Sequence, residues 1–162
     1  DELTISQAEK TLQRNFQGYS TRGGTDIYAF GMSAVSQAED CYWQNTKVLA
    51  EYYRSLDEGK LPITKGYILS KEDEIRRETI MRLMCDLGLD YAAMSELLRL
   101  DFKSHFATEL DSLGDMEADG LLIKSAEGIF VTEVGRLFIR NIAMRFDANL
   151  PKQTERRFSK TI

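Results

Sequence analysis

Few side chains in this 162-residue chain carry reactive chemistry. Cys41 follows Glu39 and Asp40, but no histidine stands near it in sequence to act as the base a thiol nucleophile needs. Cys85 lies far from Cys41 and no CxxC spacing occurs, so neither a disulfide framework nor a zinc or iron-sulfur site can be read from the pair. Both are expected to be buried free thiols. His105, the single histidine, sits between Phe102 and Phe106, where it could serve as an acid, a base or a ligand. Without a partner ligand, a surface or packing role is the plainer reading.

Arg136, Arg140 and Arg145 fall on one predicted helix, with Arg136 and Arg140 at i, i+4, and could clamp anionic groups. A solvated face is the competing reading. The stretch NFQGYSTRGGTDIYAFGMSAVS, residues 15–36, is glycine-rich and aromatic. Gly23-Gly24 reads as a loop, and Gly31 lets backbone approach something closely. From composition two readings stand: a tight inter-strand loop, or a strand edge that holds a small polar ligand. Neither GxGxxG nor GxxxxGK[ST] is present, so no nucleotide motif decides between them.

The elements that must position these residues follow from patterning. A helix is expected over Leu3–Arg14, then strand, loop and strand through residue 37, and a helix over Asn45–Glu58 ending at Gly59. Pro62 opens a linker, LPITKGYIL. Ser70 with Asp73 forms a capping-box-like start to a helix that buries Ile80, Leu83, Met84 and Leu87 and ends at Gly88. Helices over Tyr91–Leu98 and Asp101–Asp119 follow, the second capped by Gly120. Leu121–Ile123 and Ile129–Val131 form a hairpin. Thr132 caps a final helix with Val134, Leu137, Phe138 and Ile142 on its buried face.

The fold class is therefore mainly α with a small β component. The second half has the element order of a winged-helix module, which invites a protein- or nucleic-acid-binding reading. Its third helix carries Asp101, Glu109, Asp111, Asp115, Glu117 and Asp119 against Lys103, so DNA phosphates would be repelled. Net charge is −5, and 43% hydrophobic with 29% charged residues suits a globular chain. No leader and no apolar run long enough to span a membrane is visible, so a cytoplasmic protein with no membrane or nucleic-acid partner is expected. Beginning at Asp1 without Met, the chain reads as an excised piece.

The motifs NFQGYSTRGGTDIYAFGMSAVSQ, DCYWQN, LDYA, VTEVGRLFIRNIAMRFD and RRFSKTI, in that order, resemble the C-terminal part of the oxygen-independent coproporphyrinogen III oxidases, a radical-SAM family of haem biosynthesis. That resemblance implies a partial (β/α) barrel whose CxxxCxxC motif holds a 4Fe-4S cluster, followed by a mostly helical C-terminal domain. It implies the last strands of the truncated barrel in residues 1–45, a helix and linker in 46–69, a helical domain with its hairpin near 121–131 in 70–150, and a tail in 151–162.

The implied activity converts two propionates of coproporphyrinogen III to vinyl groups, giving protoporphyrinogen IX. It uses S-adenosylmethionine, the cluster, an electron donor and an electron acceptor, in a protein expected to be monomeric. The cluster motif is missing here. The chain alone is thus expected to be inactive, with no catalytic residue, no metal and no bound cofactor of its own. Carried over by motif, Phe16, Gln17 and Val35 form part of the wall of a second S-adenosylmethionine site, with Val35 where the family has isoleucine. Arg136, Arg140 and Arg145 are candidates for binding the substrate carboxylates.

Overall fold

The computed structural model describes residues 1–15 and 18–150. The chain divides into two compact units, Asp1–Met81 and Arg82–Ile162. The boundary falls inside one helix.

In the first unit, helix α1 (Glu2–Ala8) starts at Asp1, whose carboxylate accepts from Leu3 N, and it stops well short of the expected Arg14. The next residues form strand β1 (Gln13–Asn15), which pairs antiparallel with β2 (Gly18–Ser20). Strands β3 (Val35–Gln37), β4 (Cys41–Asn45) and β5 (Ile63–Ile68) make an antiparallel sheet in that spatial order. Two of these depart from expectation. The DCYWQN segment is a strand because it pairs with β3 on one side and β5 on the other. Residues 63–68, read as linker after Pro62, pair with it as β5, with a register shift between Gln44 and Asn45. Pro62 supplies no amide but its carbonyl accepts from Thr46 N, so it ends the connection without ending the pairing.

Helix α2 (Leu49–Asp57) lies between β4 and β5 in sequence and ends at Gly59, which takes φ +69°, as its position after a helix predicts. None of its residues is buried. Helix α3 (Lys71–Asp86) begins at the expected capping box: Ser70 N and Oγ donate to Asp73 Oδ2, and Asp73 N donates to Ser70 Oγ.

The second unit holds a continuous apolar core. Leu83, Cys85, Leu89, Phe102, Phe106, Leu113, Leu122, Ile129, Ile142 and Phe146 are all almost fully buried. Rings run through it in series: Tyr91 to Phe102 at 5.8 Å, Phe102 to Phe106 at 4.9 Å and Phe106 to Phe146 at 5.5 Å. Each such ring, fully buried, contributes roughly 1.5–3 kcal/mol.

Helix α3 gives way to β6 (Gly88–Asp90), and α4 (Tyr91–Leu98) spans the expected residues. The single helix expected over 101–119 is three short ones, α5 (Phe102–His105), α6 (Ala107–Asp111) and α7 (Gly114–Ala118). Phe102, Phe106, Leu110 and Leu113 are all buried, as their helical spacing predicts. Gly120 caps the run at φ +72°. The hairpin forms as β7 (Leu122–Lys124) and β8 (Gly128–Val131), with β6 added on the far side of β8.

Glycine is required where β6 and β8 meet. A Cβ on Gly128 would collide with the Leu89 carbonyl, and one on Gly88 would stand 2.8 Å from the Ile129 carbonyl.

The last segment corrects the expected burial. A 3₁₀ turn (Gly135–Phe138), α8 (Ile139–Ala143) and a second 3₁₀ turn (Met144–Phe146) replace one helix. The buried positions are Gly135, Ile142, Ala143 and Phe146, whereas Val134, Leu137 and Phe138 are exposed, Leu137 at 84%. Gly135 sets this rotation: its backbone lies so close to the Leu121 carbonyl that no Cβ fits. Thr132 does cap the segment, accepting from Gly135 N at 3.0 Å.

Candidate functional site

The residues singled out from the sequence fall in both units, and each group is described within its own. In the first unit the loop from Thr25 to Ala34 runs into β3. Strand β4 and helix α2 fasten it. Asn45 Nδ2 donates to the Gly31 carbonyl at 2.9 Å, and Gly31 N donates to the Tyr52 hydroxyl at 3.1 Å. Ser33 N donates to the Thr46 carbonyl at 2.7 Å, while Gln44 Nε2 donates to Ser33 O at 3.0 Å. Gly31 holds φ +105°, a conformation open mainly to glycine, so the close approach expected there is made to Asn45 and Tyr52.

Val35 opens edge strand β3 opposite Gln44 and is half-buried, leaving part of its isopropyl group accessible. Val35 is one of the three residues carried over to the wall of the cofactor site. Phe16 and Gln17, the other two residues carried over to that wall, lie outside the described residues. Cys41, in β4, is only half-buried, contrary to expectation. Desolvation and a hydrogen bond with Asp40 push its thiol pKa up, which disfavours the nucleophilic thiolate. Cys85 is buried, as expected.

In the second unit the three arginines separate in their surroundings. Arg136 donates to both carboxylate oxygens of Glu133 at 3.2 and 3.3 Å. Arg145 donates to Asp115 at 2.6 Å, tying the last 3₁₀ turn to α7 and holding that carboxyl below the ordinary aspartate range. Arg140 is exposed on α8, and no carboxylate within the described residues pairs with it. His105 is exposed, its ring edge-on to Phe106 at 4.7 Å.

A depression of about 500 Å³ is lined by Asp90, Tyr91, Ser95, Asp101, Lys103 and Glu127. Two of its carboxylates are helix caps, Asp90 accepting from Ala93 N and Asp101 from Ser104 N. Lys103 Nζ lies 5.6 Å from the centroid of the Tyr91 ring, whose hydroxyl pKa is raised by desolvation and by the Glu117 charge.

Among the described residues no three of His, Cys, Asp and Glu converge as metal ligands. The sequence contains two cysteines and no CxxxCxxC spacing. Nor is any described helix long and apolar enough to cross a membrane.

Residues 69–138 match the family described as HemN C-terminal domain. Along its whole length the chain is similar to proteins named oxygen-independent coproporphyrinogen III oxidase. The Helicobacter pylori (strain J99) protein is 41% identical over 162 residues, all of this chain and 35% of its own length. The Salmonella typhimurium protein is 44% identical over the full chain and 36% of its length, and the Escherichia coli K12 protein 44% over 75% of the chain. A solved structure of coproporphyrinogen III oxidase (HemN) from Escherichia coli, described as a radical SAM enzyme, superposes with a TM-score of 0.87 at 45% identity. That match covers 93% of this chain and 35% of the other. The chain thus spans about a third of the length of these relatives.

Proposed function

We propose that this chain is the C-terminal part of an oxygen-independent coproporphyrinogen III oxidase, whose full-length form oxidatively decarboxylates two propionates of coproporphyrinogen III to vinyl groups. The observation that carries this reading is the 41–44% identity to enzymes of that name along the whole chain. S-adenosylmethionine bound to a 4Fe-4S cluster supplies, in such enzymes, the radical that removes hydrogen from a propionate, after which carbon dioxide and an electron leave. The cluster ligands belong to the part of the polypeptide that this sequence does not contain.

This chain's own residues contribute walls and charge. Phe16, Gln17 and Val35 would hold a second S-adenosylmethionine: the phenyl ring and the isopropyl group give apolar contact, and the amide offers a donor and an acceptor to a zwitterion or an adenine edge. Arg136, Arg140 and Arg145 are the candidates for the substrate carboxylates. Of these, Arg140 is best suited, because among the described residues no carboxylate pairs with its guanidinium.

The division of the chain follows the same reading. Residues 1–45 form the trailing edge of a catalytic barrel, residues 46–69 join it, and residues 70–150 form a winged-helix-like domain in which β6, β7 and β8 supply the sheet. The barrel-edge assignment rests on the resemblance, since every described strand pairing in that region is antiparallel. A protein of the cytoplasm, acting as a monomer with an electron donor and an electron acceptor, completes the proposal. The full-length protein, purified anaerobically, should show iron-sulfur absorbance that bleaches in air. A full-length protein that takes up no cluster would rule the reading out.

A further inference from the structure

The hydrogen bonds around Gly31 support an inference about what holds the second S-adenosylmethionine site in shape, and it rests on the reading that Val35 belongs to the wall of that site. The four residues ahead of Val35 form a tight turn, in which Ala34 N donates to the Gly31 carbonyl at 3.4 Å. Two of them take positive φ, Gly31 at +105° and Ser33 at +60°. A residue with a Cβ enters the left-handed region at a cost, so Ser33 stays there only because its surroundings hold it.

The end of β4 does the holding. Asn45 N donates to the Ala34 carbonyl at 3.0 Å and Asn45 Nδ2 to the Gly31 carbonyl at 2.9 Å, so one residue grips both ends of the turn. Between them, Ser33 N donates to the Thr46 carbonyl and Ser33 O accepts from Gln44 Nε2. The Gly31 amide is held separately, by the Tyr52 hydroxyl of α2 at 3.1 Å. Asn45 is only 7% exposed, and a buried amide is costly unless its hydrogen bonds are made, which ties it to this one geometry of the turn. Val35 follows at once, opposite Gln44, and the next residue, Ser36, is buried. Side chains alternate along a strand, so a slip of one residue in this register would turn Val35 to the face that Ser36 now occupies. Pinning the turn therefore pins the face that Val35 presents.

We propose that Asn45 and Tyr52 are positioning residues for the second S-adenosylmethionine: by holding the two sides of Gly31 they fix the register in which Val35 joins the cofactor wall. The test uses cluster-loaded full-length protein under anaerobic conditions, with S-adenosylmethionine in equilibrium dialysis, iron content, and a melting curve for each variant. The parent should bind two molecules per cluster. Asn45→Ala should weaken one of the two by about tenfold and Tyr52→Phe by about threefold, the range a lost hydrogen bond predicts, while the other molecule stays within about twofold. Asp73→Ala, which loosens the start of α3, is the control for destabilisation alone and should leave both affinities unchanged. Parental affinity for both molecules in Asn45→Ala overturns the proposal; if that variant does not fold, parental affinity in Tyr52→Phe does so. An equal loss in Asp73→Ala also overturns it, because lowered stability would then account for the effect. A cluster-loaded parent that binds a single S-adenosylmethionine removes the wall reading of Val35 and this proposal with it, whereas a parent that takes up no cluster removes the function itself.

Discussion

Ser70 and Asp73 cap one another at the start of α3: the serine hydroxyl donates to Asp73 Oδ2 at 2.6 Å and accepts from Asp73 N at 3.2 Å. Asp73 Oδ2 also receives Ser70 N and the Tyr67 hydroxyl, each at 2.9 Å, so one carboxylate joins the end of β5 to the helix that follows. Asp73→Ala should cost about 1 kcal/mol or more, the usual cost of a lost cap, read as a lower urea midpoint at unchanged slope. Ser70→Ala should cost no more than Asp73→Ala, because it leaves the tyrosine contact in place.

Gly135 and Gly128 are predicted to be the least replaceable glycines. Alanine at either position drives a methyl group into a backbone carbonyl, of Leu121 and Leu89 respectively. Each substitution should lower stability by about 1–3 kcal/mol or more, since a carbonyl in a sheet or a tight turn cannot rotate away as a side chain would. Gly114→Ala, where the added methyl meets nothing within 4 Å, is the control and should change stability little.

The Arg145–Asp115 pair predicts a pH dependence of definite sign. Hydrogen bonding from Arg145 lowers the folded-state pKa of Asp115, and the amide of Ser104 does the same for Asp101. The stabilisation from both is therefore fully present above the unfolded aspartate value of about 3.9. It is lost as pH falls through the lower folded values. Urea midpoints recorded from neutral pH down into the acid range should fall, and Asp115→Asn should flatten that fall.

The arginines should separate in full-length enzyme kinetics. Arg140→Gln is expected to raise KM for coproporphyrinogen III several-fold with little effect on melting temperature. Arg145→Gln should act mainly on stability, because its guanidinium already serves Asp115. Equal KM for Arg140→Gln and the parent would remove Arg140 from the substrate site.

Local signals were legible wherever one residue decides the outcome. The Ser70–Asp73 box, the residues of α4, the Gly59 and Gly120 caps and the β7–β8 hairpin all follow from side chains within a few positions. What could not be read depends on distant partners. DCYWQN becomes a strand because β3 and β5 flank it, and residues 63–68 pair because β4 waits for them. Val134, Leu137 and Phe138 have the right spacing for a buried face, yet Gly135 brings the adjacent face against Leu121. A glycine followed by small Ala143 eight residues on was the available signal for that face. In the candidate site, Gly31 was legible as a point of close approach, whereas the exposure of Phe30 was not, since nothing local says which aromatic side chains a fold leaves uncovered.

The central claim is that this chain completes an oxygen-independent coproporphyrinogen III oxidase, and a product assay tests it most directly. The full-length protein, reconstituted with iron and sulfide and incubated without oxygen with coproporphyrinogen III, S-adenosylmethionine, a reductant and an electron acceptor, should form protoporphyrinogen IX. Omitting S-adenosylmethionine should abolish the product, and Gln17→Ala should reduce it while leaving iron content unchanged. A cluster-loaded protein that leaves coproporphyrinogen III unconverted would contradict the account.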